Sequence, residues 1–150
     1  MPSYRIIDEE TDKRIVQTLA AVAAFAAVGA AAAQDKVIYH FDAGLAPATK
    51  GLHNIRTHLE VDPKAKIVAV AHAEGVDFLM TGAMDPNKNP YSVAVETLKA
   101  QGVTFEVCQI TLRNRKLDPK QFIPEVEFTP SGVQRITQLQ QRDGYAYLKP

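Results

Sequence analysis

The chain has 150 residues, and its 17 basic and 17 acidic side chains leave no net charge. Without an excess of basic residues, nucleic acid is not expected as a partner, and the length suits a single domain of ordinary size. The lone cysteine, Cys108, excludes a disulfide within the chain and a thioredoxin-type Cys-x-x-Cys motif.

Residues 1–33 form an N-terminal extension with the pattern of a secretory signal peptide. Lys13 and Arg14 precede an alanine-rich apolar stretch, which closes with an Ala-x-Ala sequence at Ala31 to Ala33. A transmembrane helix is the alternative, but it needs about 20 strongly apolar residues and alanine is only weakly apolar. The pattern predicts cleavage near Ala33, a periplasmic or otherwise exported protein, and no stable membrane insertion of the mature chain. Retention of residues 1–33 as an anchor stays open.

The rest of the chain, residues 34–150, predicts one domain in which strands alternate with helices. Runs of β-branched and aromatic residues indicate strands, and apolar residues three or four apart indicate helices. The predicted strands are residues 36–41, 66–72, 103–110, 125–129 and 145–150. The predicted helices are residues 47–60, 91–102 and 131–144, with helical turns at 76–82 and a helical or irregular connector at 111–122. This alternation predicts an α/β fold whose sheet is parallel and covered by helices on both faces.

The segment that joins the fourth predicted strand to the last helix has two interpretations. Ser131 is the expected N-cap, and Val133, Ile136 and Leu139 mark the face of the helix that should be buried. A helix start explains the segment fully. Alternatively, the backbone N–H groups around Ser131 and Gly132 face an anion at this edge of the sheet.

Two other motifs do not meet the requirements of the binding sites that they resemble. Residues 44–51, GLAPATKG, superficially resemble a phosphate-binding loop, which requires G-x-x-x-x-G-K-[ST]. Here Thr49 stands in place of the second glycine, and Gly51 follows the lysine. Among the four histidines, His53 and His58 are five residues apart, a poor match to one helical face. The sequence therefore predicts neither a nucleotide, another cofactor nor a metal ion.

Cys108 stands at the carboxyl end of the third predicted strand, and two interpretations of it stay open. Parallel α/β sheets bind ligands beyond the carboxyl ends of their strands, and a flavodoxin-like strand order would place Cys108 there, near His72. A helical turn starting at Thr111, together with Arg113 and Arg115, would favour a reactive thiolate. The alternative is a buried cysteine that acts as a small hydrophobic residue.

Four segments, NIRTHLE, VAVAHAEGVDFL, GVTFEVCQITLRNRKLD and FTPSGVQRITQLQQRDGYAYLKP, resemble the DsrE/DsrF-like family. The resemblance is to its small stand-alone branch, which is often predicted to be exported, and it spans almost all of Lys36 to Pro150. It implies a three-layer α/β/α sandwich with a five-stranded parallel sheet, assembled as a homotrimer or as a hexamer of two trimers. Cys108 matches the family's V-C motif, and His72 matches an A-H-G-x-G-V turn in which Ala73 replaces the common glycine.

In the sulfur-relay members of that family a cysteine carries sulfane sulfur as a persulfide and passes it to a partner protein. The resemblance therefore implies an exported sulfur carrier with Cys108 as the catalytic residue. The supporting or ligand-binding candidates are His72, Thr111, Arg113, Asn54, Ser131 and Gly132. An alternative is a non-catalytic, oligomeric module that binds a small ligand or a protein and in which the cysteine is structural. A third is an assembly subunit without a ligand.

Overall fold

The computed structural model describes residues 34–150, and the predicted signal peptide lies outside the described residues. The strands are β1 (Lys36–Phe41), β2 (Lys66–Ala71), β3 (Thr104–Cys108), β4 (Glu127–Thr129) and β5 (Ala146–Leu148). The α-helices are α1 (Leu45–Val61), α2 (Tyr91–Ala100), α3 (Gln109–Arg115) and α4 (Gly132–Gln141). Two 3₁₀ helices span Ala73–Leu79 and Pro119–Gln121. No helix within this part of the chain is long and apolar enough to cross a membrane.

All five strands run parallel in the order β4-β3-β2-β1-β5. The predicted α/β fold with a five-stranded parallel sheet is confirmed. The strand order differs from the flavodoxin-like one, because β2 lies between β1 and β3. Each of the first three crossovers adds a strand in the same direction, and only the last returns to the other side of β1.

Helices cover both faces of the sheet, which gives the three layers. On one face, α1, α2 and the first 3₁₀ helix bury Ile55, Leu98 and Phe78 against strand residues such as Phe105. On the other face, the buried side of α4 packs on β1 and β2 through a smaller core: Ile38, Val68, Val70, Ile136 and Leu139. Burying each such aliphatic side chain stabilises the fold by about 1.5–3 kcal/mol.

The parallel register aligns the carboxyl ends of the strands along one edge of the sheet. His40 of β1 pairs with Val70 of β2, and Ala71 of β2 pairs with Val107 of β3. Successive side chains of a strand point to opposite faces. Because Ile38 and Val70 face α4, the alternation places His40, His72 and Cys108 on that same face.

Several boundaries differ from the predictions. Strand β3 ends at Cys108 rather than at residue 110, and α3 begins at Gln109 rather than at Thr111. Helix α1 begins at Leu45, since a proline at residue 47 fits the first turn of a helix. Val133, expected on the buried face of α4, is 64% exposed, because the residues that α4 buries are Gly132, Ile136 and Leu139.

Candidate functional site

A crevice forms where β3 and β4 send the chain to opposite faces of the sheet. Strand β3 leads into α3, whose Leu112 joins the core on the side of α1 and α2, whereas β4 leads into α4 on the opposite side. Neighbouring strands that diverge in this way leave room for a ligand beyond their carboxyl ends. Cys108 ends β3, and Ser131 and Gly132 follow β4. The thiol thus lies at such a crevice, but between β3 and β4 rather than between β1 and β3.

A cavity of about 560 Å³ occupies this crevice. Its lining combines polar side chains with a few apolar ones: His72, Ala73, Glu74, Cys108, Ile110, Thr111, Asn114, Arg115, Ser131 and Val133. Cys108 is only 4% exposed. A reagent can therefore reach its sulfur only through the cavity.

Polar groups of two different connections lie beside the Cys108 thiol and lower its pKa. Burial raises the pKa of the thiol, but the backbone N–H of Gly132 opposes this by donating to the sulfur. The backbone N–H groups of Thr111 and Ile110 and the Thr111 hydroxyl do the same. The donors outweigh burial, and the pKa of Cys108 lies below its ordinary value of 9.0. A thiolate is the nucleophilic form of cysteine, so this surrounding favours reactivity.

Thr111 links the thiol to the turn that follows β2. Its Oγ1 accepts the backbone N–H of Ala73 at 2.9 Å, which leaves the hydroxyl proton for the Cys108 sulfur. Ala73 has a φ of +49°, in the left-handed region that favours glycine. Glycine would adopt this backbone conformation with less strain than the alanine present here.

Gly132 brings the start of α4 into contact with two predicted site residues. A Cβ atom at this position would lie 3.3 Å from the Cβ of Cys108 and 3.3 Å from the Cβ of His72. The absence of a side chain lets the Gly132 N–H approach the sulfur. Ser131 is the N-cap of α4, as predicted, and its hydroxyl oxygen accepts the N–H of Gln134 at 3.3 Å.

His72 belongs to a hydrogen-bonded chain that the sequence did not reveal. Its Nε2 lies 2.6 Å from Nε2 of His40, and Nδ1 of His40 lies 2.6 Å from the Tyr147 hydroxyl. Burial lowers the pKa of both histidines, and the charge of His72 lowers the pKa of His40 further. The Asp42 carboxylate acts in the opposite direction on both. In the sequence, the only sign of this contact was that His40 and His72 stand at the ends of consecutive predicted strands. The contact itself requires β1 to lie next to β2.

The structure does not bring every predicted residue to the cavity. Arg113 lies on the exposed side of α3 and is not part of the lining. Arg115 lines the cavity instead, and its Nη1 donates to the Ala73 carbonyl at 2.9 Å and to Asp77 Oδ1 at 2.7 Å. Asn54 lines a separate cavity of about 490 Å³ beside α1 and β5.

Cys108, His72, Thr111, Ser131 and Gly132 are therefore the predicted residues that meet at one place. Within residues 34–150, no group of three or more histidine, cysteine, aspartate or glutamate side chains is arranged to hold a metal ion.

Known proteins share both the sequence pattern and the fold. Residues 12–150 match the DsrE/DsrF-like family, so the match begins inside the predicted signal peptide. The protein of unknown function MTH1491 from Methanobacterium thermoautotrophicum is 29% identical, with a TM-score of 0.68 over 78% of this chain and 100% of that one. The ychN protein from E. coli is 17% identical, with a TM-score of 0.62 over 78% of this chain and 99% of that one, and it shows the fold alone. No curated protein matches the sequence significantly.

Proposed function

The chain belongs to the DsrE/DsrF-like family, which is associated with sulfur relay, and on this premise we propose that Cys108 carries sulfane sulfur as a persulfide. The observation that supports the proposal most directly is the position of Cys108 in the lining of the cavity, with Gly132 packed against it. Gly132, Thr111 and Ile110 hold hydrogen-bond donors against a thiol of lowered pKa at the inside of a cavity. A structural cysteine needs no such donors, since it packs as a small hydrophobic residue.

The proposed chemistry is thiol–persulfide exchange in two steps. In loading, the Cys108 thiolate attacks the outer sulfur of a persulfide donor R–S–SH, a sulfur–sulfur bond forms, the donor's sulfur–sulfur bond breaks, and R–S⁻ leaves with the electron pair. In unloading, an acceptor thiolate attacks the outer sulfur of the Cys108 persulfide, and the Cys108 thiolate leaves. The protein is a carrier in this cycle, because the thiolate that starts it is regenerated.

The donors around Cys108 suit both steps. Negative charge sits on Sγ before loading and returns there when the persulfide is unloaded. During unloading, fixed N–H groups at the position where charge develops lower the barrier without reorganising. During loading the charge leaves Sγ, and the same groups act by raising the ionised fraction of the thiol. The cavity of about 560 Å³ lies within the usual range for small-molecule sites, so it has room for a low-molecular-weight persulfide.

The test is intact-protein mass spectrometry after exposure to polysulfide. Because the chain has a single cysteine, a gain of one sulfur atom, about 32 Da, reports on Cys108 without peptide mapping. We expect the adduct on wild-type protein, its removal by a reducing agent, and none on Cys108→Ser. No adduct on a folded protein whose thiol also resists iodoacetamide would favour the alternative in which the cysteine is structural.

We also propose that the protein is exported. The support is the signal-peptide pattern of residues 1–33. Expression in a Gram-negative host followed by N-terminal sequencing of the periplasmic fraction tests this. A mature protein starting at Gln34 is the expected result, and a full-length protein that stays in the cytoplasm would contradict it.

We further propose a homo-oligomer, a trimer or hexamer, that exchanges sulfur with a donor or acceptor protein. DsrE-family proteins are often oligomeric. The edge strand β5 adds support, since Tyr147 and Leu148 are 39% and 44% exposed there. Light scattering coupled to gel filtration should give a mass three or six times that of the chain, and a monomer at micromolar concentration would refute this part of the proposal.

A further inference from the structure

A chain of three hydrogen-bonded side chains connects the cavity of Cys108 to the edge of the sheet. Tyr147 begins it on β5, His40 continues it at the end of β1, and His72 completes it after β2. His72 lines the cavity together with Cys108, and both contact the position of Gly132. A sulfur compound bound in the cavity would therefore contact the thiol and the His72 ring together.

The geometry fixes how many protons the two imidazoles share. Nitrogens 2.6 Å apart cannot both carry a proton, so one Nε2 donates and the other accepts. If His72 donates from Nε2 to His40, then His40 donates from Nδ1 to the Tyr147 hydroxyl oxygen, and Nδ1 of His72 keeps a lone pair that can accept a proton. Each ring is then neutral, and one extra proton can be spread over the pair.

The charged groups around His40 and His72 act in opposite directions on the pKa of each ring. The Asp42 carboxylate follows β1, and it is paired at 2.6 Å with the Lys149 ammonium that follows β5. Their effects on the pKa of each histidine have opposite signs, and burial lowers both. The ionisable side chains on the other elements around this site are Glu74, Glu106, Cys108, Arg115, Arg135 and Tyr147. Among these, Glu106 pairs with Arg135 and Arg115 with Asp77. Burial and the Lys149 ammonium thus favour the neutral form of both rings, and the Asp42 carboxylate opposes them.

We propose that His72 transfers a proton during sulfur exchange at Cys108 and that His40 and Tyr147 are positioning residues that hold the His72 ring and share the proton. This inference rests on the proposed function. During loading, the Cys108 thiolate takes the outer sulfur of R–S–SH and R–S⁻ leaves with the electron pair. The new Cys108–S–SH passes its proton to the histidine pair, which returns it to R–S⁻, and R–SH departs. Atoms and charge balance, and the sulfane sulfur changes partner without net oxidation.

Comparing loading with alkylation tests the relay. Glutathione persulfide is the loading reagent, and iodoacetamide is the comparison, because iodide leaves without a proton. His40→Gln and Tyr147→Phe should each slow loading about 10-fold and change its pH profile, since partners that orient a functional histidine contribute on that scale. Their alkylation rates should equal that of the wild type. His58→Gln is the matched control, because His58 bonds Tyr39 at 3.0 Å on the other face of the sheet and should load normally.

Two results would overturn the relay: unchanged loading in both variants, or equal slowing of loading and alkylation. Failure of the wild type to load would instead refute the proposed function.

The shared proton is tested separately, by NMR titration of the histidine ring protons in His72→Asn. Removal of the His72 charge should raise the pKa of His40, and an unchanged His40 titration would refute a shared site.

Discussion

Removal of one hydroxyl group, in Thr111→Val, should separate the reactivity of Cys108 from the folding of the protein. Thr111 is buried, and valine has nearly the same shape. The substitution deletes the donor to the Cys108 sulfur and the acceptor of the Ala73 N–H. Thr111→Ser keeps the hydroxyl and is the matched control.

The two lost hydrogen bonds have different consequences. A hydrogen bond to a charged group contributes about 1.5 kcal/mol at the lower end of its range. Each 1.4 kcal/mol or so is a factor of ten, so the thiolate population below the pKa falls about tenfold. The Ala73 N–H loses its acceptor in this variant but is only partly buried. Loss of this hydrogen bond should lower the free energy of unfolding by about 1 kcal/mol.

Stopped-flow alkylation with iodoacetamide across a range of pH measures the first effect, and urea denaturation measures the second. At pH values below the thiol pKa that this titration gives, we expect Thr111→Val to react up to about tenfold more slowly than the wild type while remaining folded, with Thr111→Ser close to the wild type. If Thr111→Val is folded and alkylates as fast as Thr111→Ser, the hydroxyl does not stabilise the thiolate and the account of the lowered pKa is wrong.

Three further predictions concern the surroundings of the thiol. Gly132→Ala should cost about 1–3 kcal/mol in urea denaturation and slow alkylation, because the new Cβ overpacks Cys108, whereas Gly44→Ala, with open space around it, should stay within about 0.5 kcal/mol of the wild type. Arg135→Met leaves the buried Glu106 carboxylate without its bidentate partner. We expect the free energy of unfolding to fall by about 2 kcal/mol, which is less than for a fully buried pair because Arg135 is 31% exposed. Adding Glu106→Gln to Arg135→Met should recover part of this loss, because the uncharged amide needs no cationic partner. Because the folded state depresses the pKa of Cys108, the stability of the wild type relative to Cys108→Ser should rise with pH from the folded-state pKa up to about 9.0 and be lost as pH falls through the folded-state pKa. A pH-independent difference in urea denaturation from pH 6 to 9 would contradict this last prediction.

Local patterns predicted the elements well, because each strand and helix carries its own periodicity. Cys108 was recognised at the end of a strand for this reason, and the apolar run before it is buried. The order of the strands is a different matter, since an alternating β/α sequence is compatible with several orders. Strand β1 lies next to β2 in the flavodoxin-like order as well as in the observed one, so His40 and His72 were expected near the ends of neighbouring strands. The 2.6 Å contact between their rings depends on the register of β1 against β2, which no local pattern predicts.

The spacing of residues along α3 could have predicted which of its two arginines lines the cavity. Residues four apart lie on the same side of a helix, whereas residues two apart point nearly opposite ways. Arg115 is four residues after Thr111, and both line the cavity, while Arg113 is two residues after Thr111 and does not line it. Asn54 was a candidate site residue only because of the family resemblance, and it lines another cavity.

The pairing of the first strand with the last has a consequence for how the chain folds. His40 and Tyr147 are 107 residues apart, so their contact closes almost the whole described chain. Contacts between distant residues form slowly, because the entropy of closing the loop is lost before the contact stabilises anything. The outer edge of β1 therefore stays unpaired until the C-terminal residues are available. The rate of forming the His40–Tyr147 contact should mark the completion of folding rather than its start.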